Sequence, residues 1–184
     1  FKTITHHKIL VAKGCFKVGL YKQGLLHDMS KYSPTEFRVG VKYYQGTRSP
    51  NNAEREDIGY SSAWLHHKGR NKHHYEYWID YSMQALPGGM APVPMPDRYI
   101  AEMIMDRIAA SKVYMGEAYT DRSPLEYYYR GTDKAPIHPE TKAKLLYVLE
   151  MLAEQGEEKT FRFVKEELVQ HKRCVDWHRL EKAE

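Results

Sequence analysis

Residues 27–37, with the sequence His-Asp-Met-Ser-Lys-Tyr-Ser-Pro-Thr-Glu-Phe, join a polar dipeptide to the start of a helix. Ser33 is a preferred N-cap, Pro34 suits the first helical turn, and Glu36 completes a capping box. These signals predict a helix that ends near residue 44. His27 and Asp28 then lie in the turn before it, where both side chains can reach one ion. Because imidazole and carboxylate groups are common metal ligands, the stretch predicts a metal site in a helical fold.

The sequence pattern remains helical on both sides of this stretch. Residues 3–20 carry Ile4, His7 and Val11 on one helix face, so His7 is expected to point toward the core. Gly24 predicts a turn before His27. Further helices are predicted at about 58–67, 72–83 and 96–115, and two more from Ser123 and Pro139, the second ending at Gly156.

The remaining segments are predicted to be loops and a helical tail. Residues 47–56 are polar, and residues 86–96 are rich in Pro and Gly, so both are expected to be loops, the second near the site. Residues 157–184 predict one or two charged amphipathic helices. Because no alternating β pattern of useful length occurs, we predict an all-α fold. Residues 1–118 would form the metal-binding domain, and residues 119–184 a C-terminal helical extension packed on it.

Composition limits the possible functions. The chain has 184 residues, of which 42% are hydrophobic and 28% charged, as in soluble globular proteins. No apolar run is long enough to span a membrane, and residues 1–4 do not begin a secretory signal. Cys15 and Cys174 are too few for a disulfide scaffold, so we expect a reducing cytoplasm. The net charge of +4 fits an anionic substrate but is too diffuse to indicate nucleic acid by itself.

Histidines are concentrated in the N-terminal part of the chain. Seven of the ten lie in the first 74 residues: His6, His7, His27, His66, His67, His73 and His74. Asp106 is predicted on an apolar helix stripe, where an isolated buried charge costs several kcal/mol unless a cation or histidine pairs with it. Taken singly, His7 fits a core histidine and Asp106 a capping or Arg-paired residue. Taken together, His7, His27, Asp28 and Asp106 predict a metal site.

Residues 66–74, with the sequence His-His-Lys-Gly-Arg-Asn-Lys-His-His, form a second histidine-rich segment. Trp64 and Trp78 flank it, which favours contact with the core over a solvated turn. His67 aligns with Trp64 at helical spacing, and His74 aligns with Trp78, so these two are predicted as the inward members of their pairs. Glu76 and Glu102 are each interpreted as an orienter of an imidazole or as a surface charge.

These residues and their order resemble the HD superfamily of metal-dependent phosphohydrolases over about residues 4–115. The segment from His27 through Asp28 to Lys31 resembles that superfamily's H-D-x-x-K form. More narrowly, residues 27–37, 63–74 and 95–106 are similar to a family of uncharacterised bacterial and phage proteins, which brings no established activity.

The resemblance implies an HD-like helical bundle with a specific set of ligands. His7, His27, Asp28 and Asp106 would hold one divalent metal, and Asp28 would bridge to a second metal held by one histidine of each pair. Lys31 would face a substrate phosphate, with Arg70 and Lys72 stabilising its charge. A metal-bound water would be the nucleophile. Mn, Mg, Fe, Zn, Ni and Co all remain open as the metal.

Three functions follow as alternatives. The favoured one is a metal-dependent hydrolase of phosphate esters in a small molecule or nucleotide, with no membrane partner and with homo-oligomers possible. The second is an HD-type di-iron oxygenase. The third is a non-enzymatic basic module that binds nucleic acid or protein and has structural histidines. Tyrosines at 43–44 and 127–129 either stack on bases or pack at helix edges.

Overall fold

The fold is mostly helical, as predicted. The structure, a computed structural model, describes residues 1–83, 89–131, 134–172 and Trp177. Its α-helices are α1 (Lys2–Lys17), α2 (Tyr21–Leu26), α3 (Pro34–Lys42), α4 (Pro50–Ile58), α5 (Ser62–Lys68), α6 (Asp97–Met115), α7 (Ser123–Tyr129) and α8 (Pro139–Phe163). Short 3₁₀ helices occupy Met29–Tyr32, Tyr75–Trp78 and Gly116–Ala118, and a π-helix occupies Val164–Val169. Strand β1 (Ile79–Tyr81) pairs antiparallel with β2 (Met90–Pro92).

Helix α6 lies at the centre of the hydrophobic core. Its Ile104 and Ile108 are buried against Val11 of α1, and Leu149 of α8 belongs to the same cluster. Burial of each such side chain contributes about 1.5–3 kcal/mol to folding. The core therefore includes residues from both predicted ranges, 1–118 and 119–184.

The predicted helix starts are confirmed where a cap or a proline marks them. The Ser33 hydroxyl accepts a hydrogen bond from the Glu36 backbone N–H at 3.4 Å, and Pro34 is the first residue of α3. Helix α6 begins directly after Pro96, α7 begins at Ser123, and α8 begins at Pro139. These signals act within one turn, so they need no tertiary contact to be effective.

The loop predicted at residues 47–56 is wrong, because α4 occupies most of it. Pro50 opens this helix, and Gly59, in the left-handed conformation with φ 83°, ends it. Arg48 pairs with Glu56 at 2.6 Å along its exposed side. The segment is polar because α4 is a surface helix, which buries only Ala53 and Glu54.

The helix predicted at residues 72–83 is also wrong. The chain instead forms a turn, the 3₁₀ helix and β1, and β2 lies within the predicted loop at 86–96. The Trp78 indole N–H donates to the Lys72 carbonyl at 2.7 Å, and the Val93 N–H donates to the Trp78 carbonyl at 2.8 Å. These bonds use the backbone groups of the segment in tertiary contacts that a sequence pattern does not reveal. Residues 84–88 lie outside the described residues.

Helix α8 changes direction at Gly156. This residue has φ 78° and ψ 173°, and helical structure resumes after it. The predicted stop at Gly156 is therefore a kink, since a left-handed glycine interrupts the hydrogen-bond pattern while the following residues still pack on the core. The predicted tail helix is described only to Lys172 and at Trp177, so Cys174 lies outside the described residues. Within the described ranges, every helix is too short or too polar to cross a bilayer.

Gly24 lies inside α2 and not in the predicted turn. A Cβ atom at this position would lie 2.9 Å from the Cys15 Cβ, so the glycine permits close contact between α1 and α2. We expect Gly24→Ala to lower the free energy of unfolding by about 1–3 kcal/mol, as overpacking does. Urea denaturation measures the change.

The matched control is Gly40→Ala in α3, where an added Cβ meets no atom within 4 Å. Alanine is the better helix former by about 0.5–1 kcal/mol, so this variant should be slightly more stable than the wild type. Equal stability changes in the two variants would contradict the close-contact explanation.

Candidate metal centre

Three adjacent sequence regions and two long helices bring their polar side chains to one buried place. The contributing residues are His7 of α1, His27 and Asp28 after α2, His67 of α5, His73 and His74 before the 3₁₀ helix, and Asp106 of α6. The structure thus brings together the six residues predicted as metal ligands and adds His73 to them.

Asp28 lies at the centre of this group. It is 2% exposed and has the left-handed conformation with φ 52°, which Asp tolerates better than most residues. Its Oδ2 lies 3.3 Å from His27 Nε2, and its Oδ1 lies 3.3 Å from His67 Nε2 and 3.4 Å from His73 Nε2. The two oxygens of one carboxylate therefore face two different sets of imidazoles.

The first cluster consists of His7, His27, Asp28 and Asp106, whose ligand atoms lie within 4.8 Å of one another. Asp106 Oδ1 lies 2.9 Å from His7 Nε2 and 3.4 Å from His27 Nε2. His7 and Asp106 approach each other because α1 packs along α6. Two imidazoles and two carboxylates can together hold a divalent cation.

The second cluster consists of Asp28, His67, His73 and His74, again within 4.8 Å. His67 Nε2 and His74 Nε2 are 2.9 Å apart. His73 and His74 both reach the cluster because this segment is not helical: in a helix, neighbouring side chains diverge by 100°. His74 instead has an extended backbone, and the two rings lie with their centroids 4.2 Å apart.

Carboxylates behind the imidazoles fix the orientation of the rings. Glu102 Oε1 lies 2.9 Å from His27 Nδ1 and 3.2 Å from His73 Nδ1. A carboxylate only accepts hydrogen bonds, so both Nδ1 atoms donate and both Nε2 lone pairs face inward. His27, His73 and Glu102 also lie close enough to be considered as ligands, but these hydrogen bonds make them a support. Of the two glutamates considered from the sequence, Glu102 contacts imidazoles.

The start of α5 is also fixed by a carboxylate. Glu54 is 2% exposed and accepts hydrogen bonds from the hydroxyls of Ser61 and Ser62, both at 2.6 Å. The Ser61 hydroxyl in turn accepts from the Trp64 backbone N–H at 3.0 Å. Burial opposes the charge, but these hydrogen bonds outweigh it and lower the pKa of Glu54. The helix that carries His67 is thus held at its first turn.

Several buried atoms of the centre have no hydrogen-bond partner among the described residues. They are the Nε2 atoms of His7, His27 and His73 and both carboxylate oxygens of Asp28. Buried polar side-chain atoms in folded proteins nearly always have a partner. Nitrogen lone pairs and carboxylate oxygens that converge without one fit a bound cation.

The electrostatics of the centre favour the ligand forms of these groups. Burial opposes the charge of Asp28, but nearby His27 and Lys31 outweigh it and hold its pKa well below the usual value. Burial likewise opposes the charge of Asp106, and hydrogen bonds with His27 and His7 lower its pKa. Burial, together with His73 and His67, lowers the pKa of His74 well below its usual value. The carboxylates are therefore anionic and His74 is neutral near pH 7, as metal binding requires.

The predicted phosphate-binding residues are not all at the centre. Lys31 Nζ lies 2.6 Å from Asp28 Oδ2, and its side chain is 31% exposed, so it stands at the edge of the site. Arg70 is exposed and donates to the His66 carbonyl at 3.2 Å. Lys72 is exposed and lies over the Tyr77 ring at 5.5 Å. The structure does not bring Arg70 or Lys72 to either cluster, since the turn that carries them faces outward. Of the tyrosines, Tyr128 is fully buried and belongs to the core.

Sequence reasoning missed His73 and the role of Glu36. His73 was set aside because a helix was predicted there, and in a helix only one of two adjacent histidines points inward. Glu36 was interpreted as part of a capping box, but its carboxylate lies 2.6 Å from His66 Nδ1 and 2.8 Å from His67 Nδ1. A buried carboxylate 31 residues from its partner has no signal in local sequence.

Residues 1–151 match the family of unknown function DUF5662, and the chain belongs to that family. The match covers α1 to α7 and the first half of α8, so it includes every residue of both clusters. Neither a curated protein nor a solved structure matches the chain significantly.

Proposed function

We propose that this protein is a metal-dependent hydrolase with an HD-like helical bundle, acting on phosphate esters of a small molecule or nucleotide at a two-metal site. The observation that carries the proposal is the position of Asp28. Its Oδ2 faces the first cluster and its Oδ1 faces the second, with His67 and His73 Nε2 within 3.4 Å of Oδ1. A single carboxylate placed in this way is suited to bridge two cations.

The order and placement of the ligands support the HD-like assignment. A histidine on the first helix, an HD dipeptide after the second and an aspartate on a later core helix agree with the H…HD…D order of that superfamily. Lys31, three residues after Asp28, agrees with its H-D-x-x-K form.

The donor atoms favour a transition metal over magnesium. The two clusters together contain five imidazoles and two carboxylates: His7, His27, His67, His73, His74, Asp28 and Asp106. Magnesium binds almost entirely to oxygen, whereas Mn, Fe, Co, Ni and Zn accept imidazole nitrogen. We therefore expect Mn²⁺, Fe²⁺, Co²⁺, Ni²⁺ or Zn²⁺ in the active protein.

Bound at these residues, the metal would supply a water of lowered pKa as the nucleophile. The chain supplies positioning and charge. Lys31 lies at the exposed edge beside Asp28, where its ammonium group can orient a phosphoryl group and stabilise the charge that develops on its oxygens. The buried carboxylates and supported imidazoles keep the ligand atoms fixed.

The three imidazoles of the second cluster also favour a second candidate, an HD-type di-iron oxygenase. Imidazole suits iron as well as manganese or zinc. Iron as the dominant metal, together with a visible absorption band and oxygen consumption, distinguishes the oxygenase from the hydrolase.

The proposal is tested with two adjacent histidines. His7 is buried in the first cluster, whereas His6 is exposed on the other side of α1. The wild type should retain transition metal after purification and hydrolyse p-nitrophenyl phosphate or a mononucleotide. His7→Ala should lose metal and reduce hydrolysis by roughly 100-fold or more, since a lost ligand exceeds the effect of a lost ligand support. His6→Ala should match the wild type.

Elemental analysis and a colorimetric phosphate assay give both readouts. Hydrolase function is excluded if metal-loaded protein cleaves no phosphate monoester, diester or nucleotide. Protein that binds nucleic acid with steep salt dependence and ignores chelators would instead be the basic binding module.

A further inference from the structure

Glu36 joins the two histidines of one pair from a different helix. It lies on α3 and is 7% exposed. Its Oε1 lies 2.6 Å from His66 Nδ1, and its Oε2 lies 2.8 Å from His67 Nδ1. Both oxygens of a buried carboxylate are thus used by adjacent residues of α5. Only His67 presents its other nitrogen to the second cluster, where Nε2 lies 3.3 Å from Asp28 Oδ1.

Other groups compete for the same nitrogen of His67. The Asn71 amide nitrogen lies 3.1 Å from His67 Nδ1, and the Ser30 hydroxyl lies 3.2 Å from it. An amide N–H can only donate, and a hydroxyl can donate, so either group would favour an Nδ1 without a proton. A neutral imidazole of that tautomer carries its proton on Nε2, which faces Asp28 and would be blocked as a metal ligand. The Glu36 carboxylate favours the opposite tautomer, and a charged acceptor makes the stronger hydrogen bond.

Glu102 supports the site in a different way. It contacts His27 of the first cluster and His73 of the second cluster. Its loss should therefore disturb both metal positions. The contacts of Glu36 reach only the second cluster, through His67. The two supporting carboxylates thus differ in the number of metal positions that they serve.

We infer that Glu36 is a positioning residue dedicated to the second metal position, where it holds the His67 proton on Nδ1 and leaves Nε2 free for the metal. The inference rests on the proposed two-metal function. It makes the second position separable from the first, so one metal can be bound strongly while the other is lost. It also gives His66 a role as the outer donor that keeps Glu36 oriented, without being a ligand itself.

The experiment compares Glu36→Gln with Glu102→Gln in the full chain. Apo protein is titrated with Mn²⁺ by calorimetry, and the loaded protein is examined by electron paramagnetic resonance. In Glu36→Gln the second equivalent should bind about 10–100-fold more weakly, while the first is unchanged. The spectrum should change from that of a coupled pair to that of an isolated ion. In Glu102→Gln both equivalents should weaken.

A second measurement needs no metal. Nitrogen-15 NMR of histidine-labelled apo protein reports the tautomer of each ring. His67 should carry its proton on Nδ1 in the wild type and on Nε2 in Glu36→Gln. Wild-type His67 with its proton on Nε2 overturns the inference even if the variant does not fold.

The outcomes separate the two proposals. If the wild type binds no metal, the two-metal function fails, and the tautomer still tests Glu36. If the wild type binds two metals and Glu36→Gln keeps both affinities, or loses both equally, the role assigned to Glu36 is wrong and the function stands.

Discussion

Asp28→Asn is expected to abolish binding of both metals and to lower hydrolysis of p-nitrophenyl phosphate by roughly 1,000-fold or more. Asp28 supplies one oxygen to each cluster, and the amide has no negative charge and only one oxygen. Several kcal/mol of charge stabilisation depend on the metal, and 1.36 kcal/mol corresponds to a factor of ten in rate. Asparagine tolerates the left-handed conformation at this position, with φ 52°, so the backbone should be unchanged.

The matched control is Asp80→Asn on the exposed strand β1, where the carboxylate contacts only its own neighbour Tyr81 among the printed hydrogen bonds of the described residues. This variant should keep its metal and its activity. Metal content is measured by elemental analysis and activity by released nitrophenol. An Asp28→Asn protein that retains two equivalents of metal would show that Asp28 is not the bridge between the clusters.

Metal loading is expected to raise the melting temperature by about 8–16 °C. The ligands converge only in the folded chain, so metal binds the native state in preference to the unfolded state. At a free concentration of about 1,000 times Kd, this linkage contributes about 4 kcal/mol. For a chain of this size, each kcal/mol raises the melting temperature by about 2–4 °C. Differential scanning fluorimetry of chelator-treated protein, with and without added Mn²⁺ or Co²⁺, measures the shift.

Two controls define this result. Asp28→Asn should show no more than a small shift with the same metals. Mg²⁺ should shift the wild type less than Mn²⁺, because the donor set contains five imidazoles. Equal shifts with Mg²⁺ and Mn²⁺ would point to a site made of oxygen ligands, and no shift with any metal would remove the basis of the two-cluster site.

The support of the imidazoles gives the site its dependence on residues distant in sequence. Glu102 holds His27 and His73, which lie 75 and 29 positions before it, and Glu36 holds His67, 31 positions after it. Such carboxylates fix which nitrogen of each ring faces the centre. A description of this protein that stops at the ligand residues therefore omits the groups that make them ligands.

The sequence by itself determined the helical class, most helix starts and much of the candidate site. Ser33 with Pro34 and Pro96 before Asp97 act within a single turn, and the helical period places His7 and Asp106 on inward faces. His27 and Asp28 are adjacent, so their proximity required no knowledge of the fold. Local sterics, capping and periodicity are sufficient for features of this kind.

Only the tertiary structure decided which histidines share a cluster and what orients them. His73 joins His74 because hydrogen bonds of Trp78 with distant backbone hold this segment out of a helix. Glu36 leaves its capping box for His66 and His67, and Gly24 lies at a helix contact and not in a turn. Each of these outcomes depends on atoms that are far apart along the chain, where the energy of packing and of buried hydrogen bonds exceeds local preference.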